Sequence, residues 1–347
     1  MAPETPGPTV ELRSDNAAGV APEILAAVAG ANTGSALAYG HDEVTAGLQD
    51  LVSEVFEREA RVFPVVSGTA ANALALSAMT PPWGAVLCHE EAHILVNEGG
   101  ATSLFASGAV MRGLPGAGSK LDASTVAQVL RDAGWGDPHR SQPAVLSLTC
   151  PTEYGAVYTP GEVGALADAA REHGLRVHLD GARIANALAH LGCTPAELTW
   201  KAGVDVVTLG ATKNGALSTD AIVSFDDGIS EQLVYRCKRA GHVASKMRFQ
   251  SVQLEAYLTG GLWLRLAAHA NARMAALYDG LAELGVRAHV APQANLVFVD
   301  LPSGWADALE AAGVAFYRMG GASVRFVTSF ATTDADVVRV LDVLRGL

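Results

Sequence analysis

Apolar positions along the chain fall into two alternating rhythms. Residues 21–32 (APEILAAVAGAN) read as a short helix with proline near its start, and residues 45–58 as a longer one, with Leu48, Leu51, Val52, Val55 and Phe56 at helical spacing. A strand-like run, 60–66, leads into SGTAANALALSAM (67–79), which reads as a helix opened by small polar residues. Further strands are predicted at 85–90, 144–149, 175–182, 204–213 and 221–225, with an amphipathic helix at 161–174 closed by Gly174. Strands alternating with helices predict an α/β domain whose mainly parallel sheet is covered on both faces. After residue 228 the rhythm changes. A long helical stretch from Glu231 to Leu284, interrupted at Gly260 and Gly261, precedes strand 294–301, helix 305–313, strand 323–330 and helix 334–344. The expected division is therefore an N-terminal arm and large domain over 1–260 and a small α+β domain over 261–347.

Composition narrows the class. Half of the 347 residues are apolar, enough for a large buried core, and the formal net charge is -12 with no basic tract. A nucleic-acid groove needs a positive stripe, so nucleic acid is not an expected partner. No run approaches the ~18 apolar residues that span a bilayer, and the start of the chain lacks the basic and apolar regions of a signal peptide. Cys88, Cys150, Cys193 and Cys237 are widely spaced with no CxxC pair, which suits reduced thiols in a cytoplasmic enzyme.

Candidate chemistry gathers at strand ends, where open α/β sheets bind ligands. Only five lysines exist. Lys213 follows the apolar run VTLGAT, a setting that desolvates the amine, lowers its pKa and suits imine chemistry. Asp180 ends the preceding strand. A carboxylate there could keep a pyridine nitrogen protonated, so the pair points to pyridoxal 5′-phosphate (PLP). The plain alternative is two ordinary strand-end polar residues. Ser67, Gly68 and Thr69 open a helix, whose free N–H groups suit a phosphate, although a simple helix cap has the same pattern. There is no GxxxxGK[ST] and no GxGxxG. His89-Glu90-Glu91-Ala92-His93 matches HExxH, the signature of zinc hydrolases. That chemistry needs both histidines on one long helix, and here the motif follows directly on a strand; no metal is expected. A loop over the sheet edge, with one imidazole against a cofactor or moving protons, is the expected arrangement. Arg183 and Arg325 could clamp a carboxylate.

In combination, LRSDN (12–16), Tyr39-Gly40, SGTAAN (67–72), HEEAHI (89–94), LDGARIANA (179–187), GATKNG (210–215) and VRFVTS (324–329) resemble the L-threonine aldolases over almost the whole chain. GATKNG with KMRFQSVQ (246–253) is more similar to the low-specificity bacterial branch. The resemblance implies a fold-type I, aspartate-aminotransferase-like PLP enzyme that cleaves L-threonine, L-allo-threonine and related β-hydroxy amino acids to glycine and an aldehyde. It implies that Lys213 holds PLP and Asp180 binds the pyridine nitrogen. Ser67, Gly68 and Thr69 would cradle the phosphate, and His93 would stack on the ring, with His93 or a water as base. Ser14, Arg183 and Arg325 would take the substrate carboxylate, with Tyr39 near the site and Arg248 reaching it from a neighbouring subunit. A dimer-based homo-oligomer, most simply a tetramer, is expected. Another PLP-dependent β-elimination or dehydration is the alternative on the same fold. The loop SALAYGHDEVT (35–45) departs from the acidic segment of many relatives.

Overall fold

A computed structural model describes residues 9–347. The buried apolar runs become the strands of a seven-stranded sheet: β2 (Arg61–Val65), β3 (Gly84–His89), β4 (Val110–Leu114), β5 (Gln142–Thr149), β6 (Arg176–Gly181), β7 (Val206–Leu209) and β8 (Asp220–Ser224), with β1 (Val10–Glu11) preceding them outside this sheet. Their order is β2-β8-β7-β6-β5-β3-β4. All run parallel except β8, which pairs antiparallel with both β7 and β2. The predicted α/β architecture is thus present, and β7 and β8 are adjacent as their short separation suggested. Because β3 pairs with β4 on one side and β5 on the other, the strand order reverses there. The crevice at the carboxyl ends of β3, β5, β6 and β7 is where such sheets bind ligands.

The remaining strands, β9 (Leu296–Asp300), β10 (Val314–Ala315), β11 (Tyr317–Gly320) and β12 (Ser323–Val327), belong to the C-terminal region. Strands β11, β12 and β9 form an antiparallel sheet, and β10 pairs parallel with β1. Val10 and Leu12 therefore join the C-terminal core, beside Leu277, Val299 and Phe326. The helix Leu262–Glu283 serves both regions: Leu262, Trp263 and Ala267 pack on the main core, Met274, Leu277 and Leu281 on the C-terminal one.

Two elements differ from the sequence reading. The run 204–213 is a strand only to Leu209, and Thr212–Asn214 forms a 3-10 turn. Gly210 crosses so near Ala182 that a Cβ would lie 2.2 Å from its carbonyl oxygen, so the chain turns away there. The stretch 231–284 is three helices, Asp227–Arg239, Arg248–Leu258 and Leu262–Glu283. The expected break at Gly260 and Gly261 is present, both at positive φ, and Gly241 (φ +82°) makes a second, unforeseen one. Among the described residues no helix is long and apolar enough to cross a membrane.

Candidate active site

A cavity of about 410 Å³ opens at the carboxyl ends of the central strands, closed on one side by Leu296, Phe298 and Arg325 of the C-terminal region. Its floor is a buried polar network. Asp180, the penultimate residue of β6, accepts from the Ala182 amide at Oδ1 (3.0 Å) and from Asn72 Nδ2 at Oδ2 (2.8 Å). The same Asn72 amide donates to Glu98 Oε1 (2.9 Å), and its carbonyl accepts from Thr208 Oγ1 (2.7 Å). Beneath these lies His178, between Ser147 Oγ and Thr208 Oγ1 at 2.9 and 3.3 Å. Burial pushes that imidazole down to about 4, so it is neutral.

Lys213 stands on the 3-10 turn after β7. Asp220 Oδ1 fixes the start of the turn by accepting from the Ala211 and Thr212 amides (2.7 and 3.0 Å), and Gly215 at φ +113° ends it. Tyr257 donates its hydroxyl proton to Gly210 O (3.1 Å) and accepts from Asn214 Nδ2 (2.9 Å). Burial lowers the Lys213 pKa, helped by Arg183 and opposed by Asp15, Asp180 and Asp220. A desolvated amine of this kind is a better nucleophile than a surface lysine.

Ser67, Gly68 and Thr69 line the far wall. Ser67 caps the helix Gly68–Met79 by accepting from the Ala70 amide (3.3 Å), so the opening turn presents backbone N–H groups to the cavity. Among the described residues, a Cβ placed on Gly68 would meet nothing within 4 Å, and Thr212 Oγ1, lining the same cavity, is buried without a hydrogen-bond partner.

His93 begins a single helical turn, His93–Val96. Its Nδ1 lies 2.8 Å from Glu98 Oε1, so the N–H on that nitrogen points at the carboxylate. Strand β3 ends at His89, whose ring nitrogens meet Gly116 O (2.9 Å) and the Glu91 amide (3.0 Å). HEEAH therefore lacks the helix the zinc reading requires, because strand pairing claims its first histidine.

Two guanidinium groups face the cavity. Arg183 forks onto Asp15, with Nε 2.6 Å from Oδ2 and Nη2 2.9 Å from Oδ1, and Asn295 Nδ2 adds a bond to Asp15 (3.0 Å). Burial works against ionising Asp15, but Arg183, Lys213 and Asn295 outweigh it and hold the carboxyl below its ordinary value. Among the described residues Arg325 has no carboxylate partner: Nη2 donates to Arg13 O (3.1 Å), Nε is buried and unpaired, and the group lies over the Tyr317 ring. Burial and the Arg183 charge both lower its pKa, so an anion between the two would be welcome.

The structure thus gathers Lys213, Asp180, Ser67, Gly68, Thr69, His93, Arg183 and Arg325 around one cavity. It does not bring Ser14, Tyr39 or Arg248 to that lining. Ser14 caps the turn Asp15–Ala17, leaving Asn16 to line the cavity. Tyr39 is half-exposed under Lys238 Nζ, and Arg248 donates to Thr33 O (3.3 Å). Sequence reading missed Asn72, Glu98, Asp15, Asp220 and Glu153. Glu153 follows the end of β5, and the strand-end rule that found Asp180 would have found it too.

Residues 11–303 match the family of beta-eliminating lyases. The chain is 41% identical to the low specificity L-threonine aldolase of a Pseudomonas species, over 94% of each chain. It superposes on Leishmania major threonine aldolase with a TM-score of 0.91 at 28% identity, covering 97% of this chain and 98% of the other. Against an aspartate aminotransferase of Thermus thermophilus the TM-score is 0.71 at 18% identity, with 98% and 97% covered, a likeness of fold alone.

Proposed function

The chain belongs to the beta-eliminating lyase family, and from that premise we propose that it is a PLP-dependent aldolase. It cleaves L-threonine, L-allo-threonine and related β-hydroxy-α-amino acids reversibly to glycine and an aldehyde. Near-full-length similarity to a low specificity L-threonine aldolase supports the substrate class. The observation that carries the reading is the donor set of one cavity. It holds a desolvated lysine, a buried carboxylate, a helix N-terminus with room at Gly68, an orphaned Thr212 hydroxyl and two arginines.

These residues fit PLP. Lys213, with its desolvated amine, would carry it covalently. Asp180, fixed by Asn72 and the Ala182 amide, pairs with the pyridine nitrogen. The Gly68 and Thr69 amides, with Ser67 and Thr212, hold the phosphate. His93, steadied by Glu98, would lie against the cofactor. Bound there, PLP supplies an electron sink for the pair released from the Cα–Cβ bond. Arg183 and Arg325 clamp the substrate carboxylate, which fixes which bond at Cα is set for cleavage, with Ser14 close by. Tyr39 and Arg248 act from a neighbouring subunit in a dimer-based homo-oligomer, most simply a tetramer, in the cytoplasm.

The test is direct. Purified protein should show a visible absorption band and release acetaldehyde from L-threonine, followed by coupled reduction with alcohol dehydrogenase. Lys213→Ala should lose the band and the activity together. Ammonia and a keto acid in place of glycine and aldehyde would replace this reading with β-elimination. A Lys213→Ala variant with an unchanged spectrum would refute the assignment of the lysine.

A further inference from the structure

We propose that Glu153 is the group that accepts the β-hydroxyl proton of the substrate. This rests on the retro-aldol reading above and deepens it. Five carboxylates line the cavity: Glu91, Glu98, Glu153, Asp180 and Asp220. Four have other tasks or the wrong setting. Both oxygens of Asp180 are bonded, to Asn72 and the Ala182 amide. Asp220 holds the lysine turn through two amides. Glu98 spends Oε1 on the His93 ring and Asn72; its Oε2 is also buried and unpaired among the described residues, but its whole side chain is enclosed (0% exposed), whereas Glu153 is only half-buried. Glu91 stands exposed to water.

Glu153 alone of the five joins an unpaired oxygen to a half-buried place at the cavity wall. Its Oε1 accepts one bond, from the His93 backbone N–H (2.8 Å), which pins the carboxyl beside the histidine at the cavity wall. Its Oε2 is buried and has no hydrogen-bond partner among the described residues. A buried carboxylate oxygen with an unused lone pair costs free energy unless a ligand serves it, and a substrate hydroxyl supplies the missing donor. No cation salt-bridges it among the described residues. The charged and titratable groups around it are Asp180 and His93, with Arg183, Cys88 and Tyr158 also within electrostatic reach. Burial, then Asp180, raise its pKa, the His93 amide opposes, and the result is about 7. A base so tuned can take a proton near neutrality and give it back, whereas an ordinary carboxylate is too weak a base.

In the forward reaction the O–H proton passes to Glu153 Oε2. The electron pair of that O–H bond becomes the second C–O bond of the aldehyde. The Cα–Cβ bond breaks, and its pair stays with the amino-acid half. Cα then regains a proton, so that in sum one proton moves from oxygen to carbon, with Glu153 as its intermediate store. His93 is thereby left to the ring face.

The experiment compares two reactions of the holoenzyme. Cleavage of L-threonine needs the hydroxyl proton removed; exchange of the glycine α-proton in D2O, read by NMR, does not. Glu153→Gln keeps the acceptor for the His93 N–H. It should leave the visible spectrum intact and glycine exchange within about threefold, yet lower kcat for cleavage by about 100-fold or more. It should also erase a limb of log kcat/KM that rises with pH through about 7 in the wild type. Glu153→Asp should keep that limb at reduced rate, which guards against a folding defect in the first variant. Cleavage by Glu153→Gln within about threefold of wild type, with the limb intact, overturns the proposal. So does loss of exchange in parallel with cleavage, which would make Glu153 a support of the whole site. A wild-type enzyme that exchanges glycine but releases no aldehyde from any β-hydroxy amino acid removes the retro-aldol reading itself.

Discussion

Replacing Asp15 by Asn should cost more stability than any surface charge change and should do so through Arg183. Asp15 is 2% exposed and the Arg183 side chain 20%. The pair is therefore shielded from the solvent screening that makes exposed ion pairs nearly worthless. Asn keeps the shape and one acceptor oxygen but leaves a buried guanidinium without its counter-ion. Breaking a buried pair from one side costs about 3–5 kcal/mol, and the retained acceptor places the expected loss near the lower end, about 3 kcal/mol. The substitution also weakens the bond from Asn295, and with it a tie between the chain start and the C-terminal region. Urea unfolding followed by tryptophan fluorescence measures the loss. A double-mutant cycle of Asp15→Asn with Arg183→Met isolates the coupling, expected at about 2–3 kcal/mol. Because the folded Asp15 carboxyl titrates below its ordinary value, the stabilisation is complete above about pH 4. It fades as pH falls through the depressed value, and wild type and variant should converge there. Equal urea midpoints at pH 7, or a coupling below about 0.5 kcal/mol, would refute the reasoning.

Two further outcomes follow from the polar floor. Asn72→Leu leaves Asp180 Oδ2 and the Thr208 hydroxyl each short of a partner and strips a donor from Glu98. It should cost about 3 kcal/mol or more and, on the proposed reading, speed PLP loss on dialysis; a melting curve matching wild type would contradict this. His178 is held neutral with a pKa of about 4. The stability this provides is present above about pH 6.5 and declines as pH falls towards the folded value. His178→Asn should flatten that part of the stability–pH curve, and an equally steep decline in the variant would show that another group sets it.

Legibility in the sequence followed burial. Strands β3, β5, β6 and β8 are largely buried and read as runs rich in apolar residues. The edge strands β4 and β11 are largely exposed, carry no such run, and were not visible. Lys213 and Asp180 could be found because strand ends are marked by apolar residues before them. Asn72 and Glu98 could not, since an amide inside an alanine-rich helix and a glutamate before Gly99-Gly100 carry no local mark. Their importance arises only when β6 and the two segments meet. Arg183 was found, but its partner Asp15 lies 168 residues away, a distance across which no periodicity speaks.

The pairing of β1 with β10 has a consequence for how the protein is made. Val10 and Leu12 belong to a core whose other members begin at Met274 and end at Leu344. On the ribosome these first residues have no partners until nearly the last have emerged, whereas the central sheet is complete by Ser224. The lysine and aspartate ends of the site can thus be in place while the chain is still growing. Asp15 pairs with Arg183 of the sheet region, but its bond from Asn295 forms only once the C-terminal region has emerged. On the proposed reading the carboxylate clamp is then completed last: a chain cut short before Arg325 would keep the polar floor and Arg183 but lack the second guanidinium.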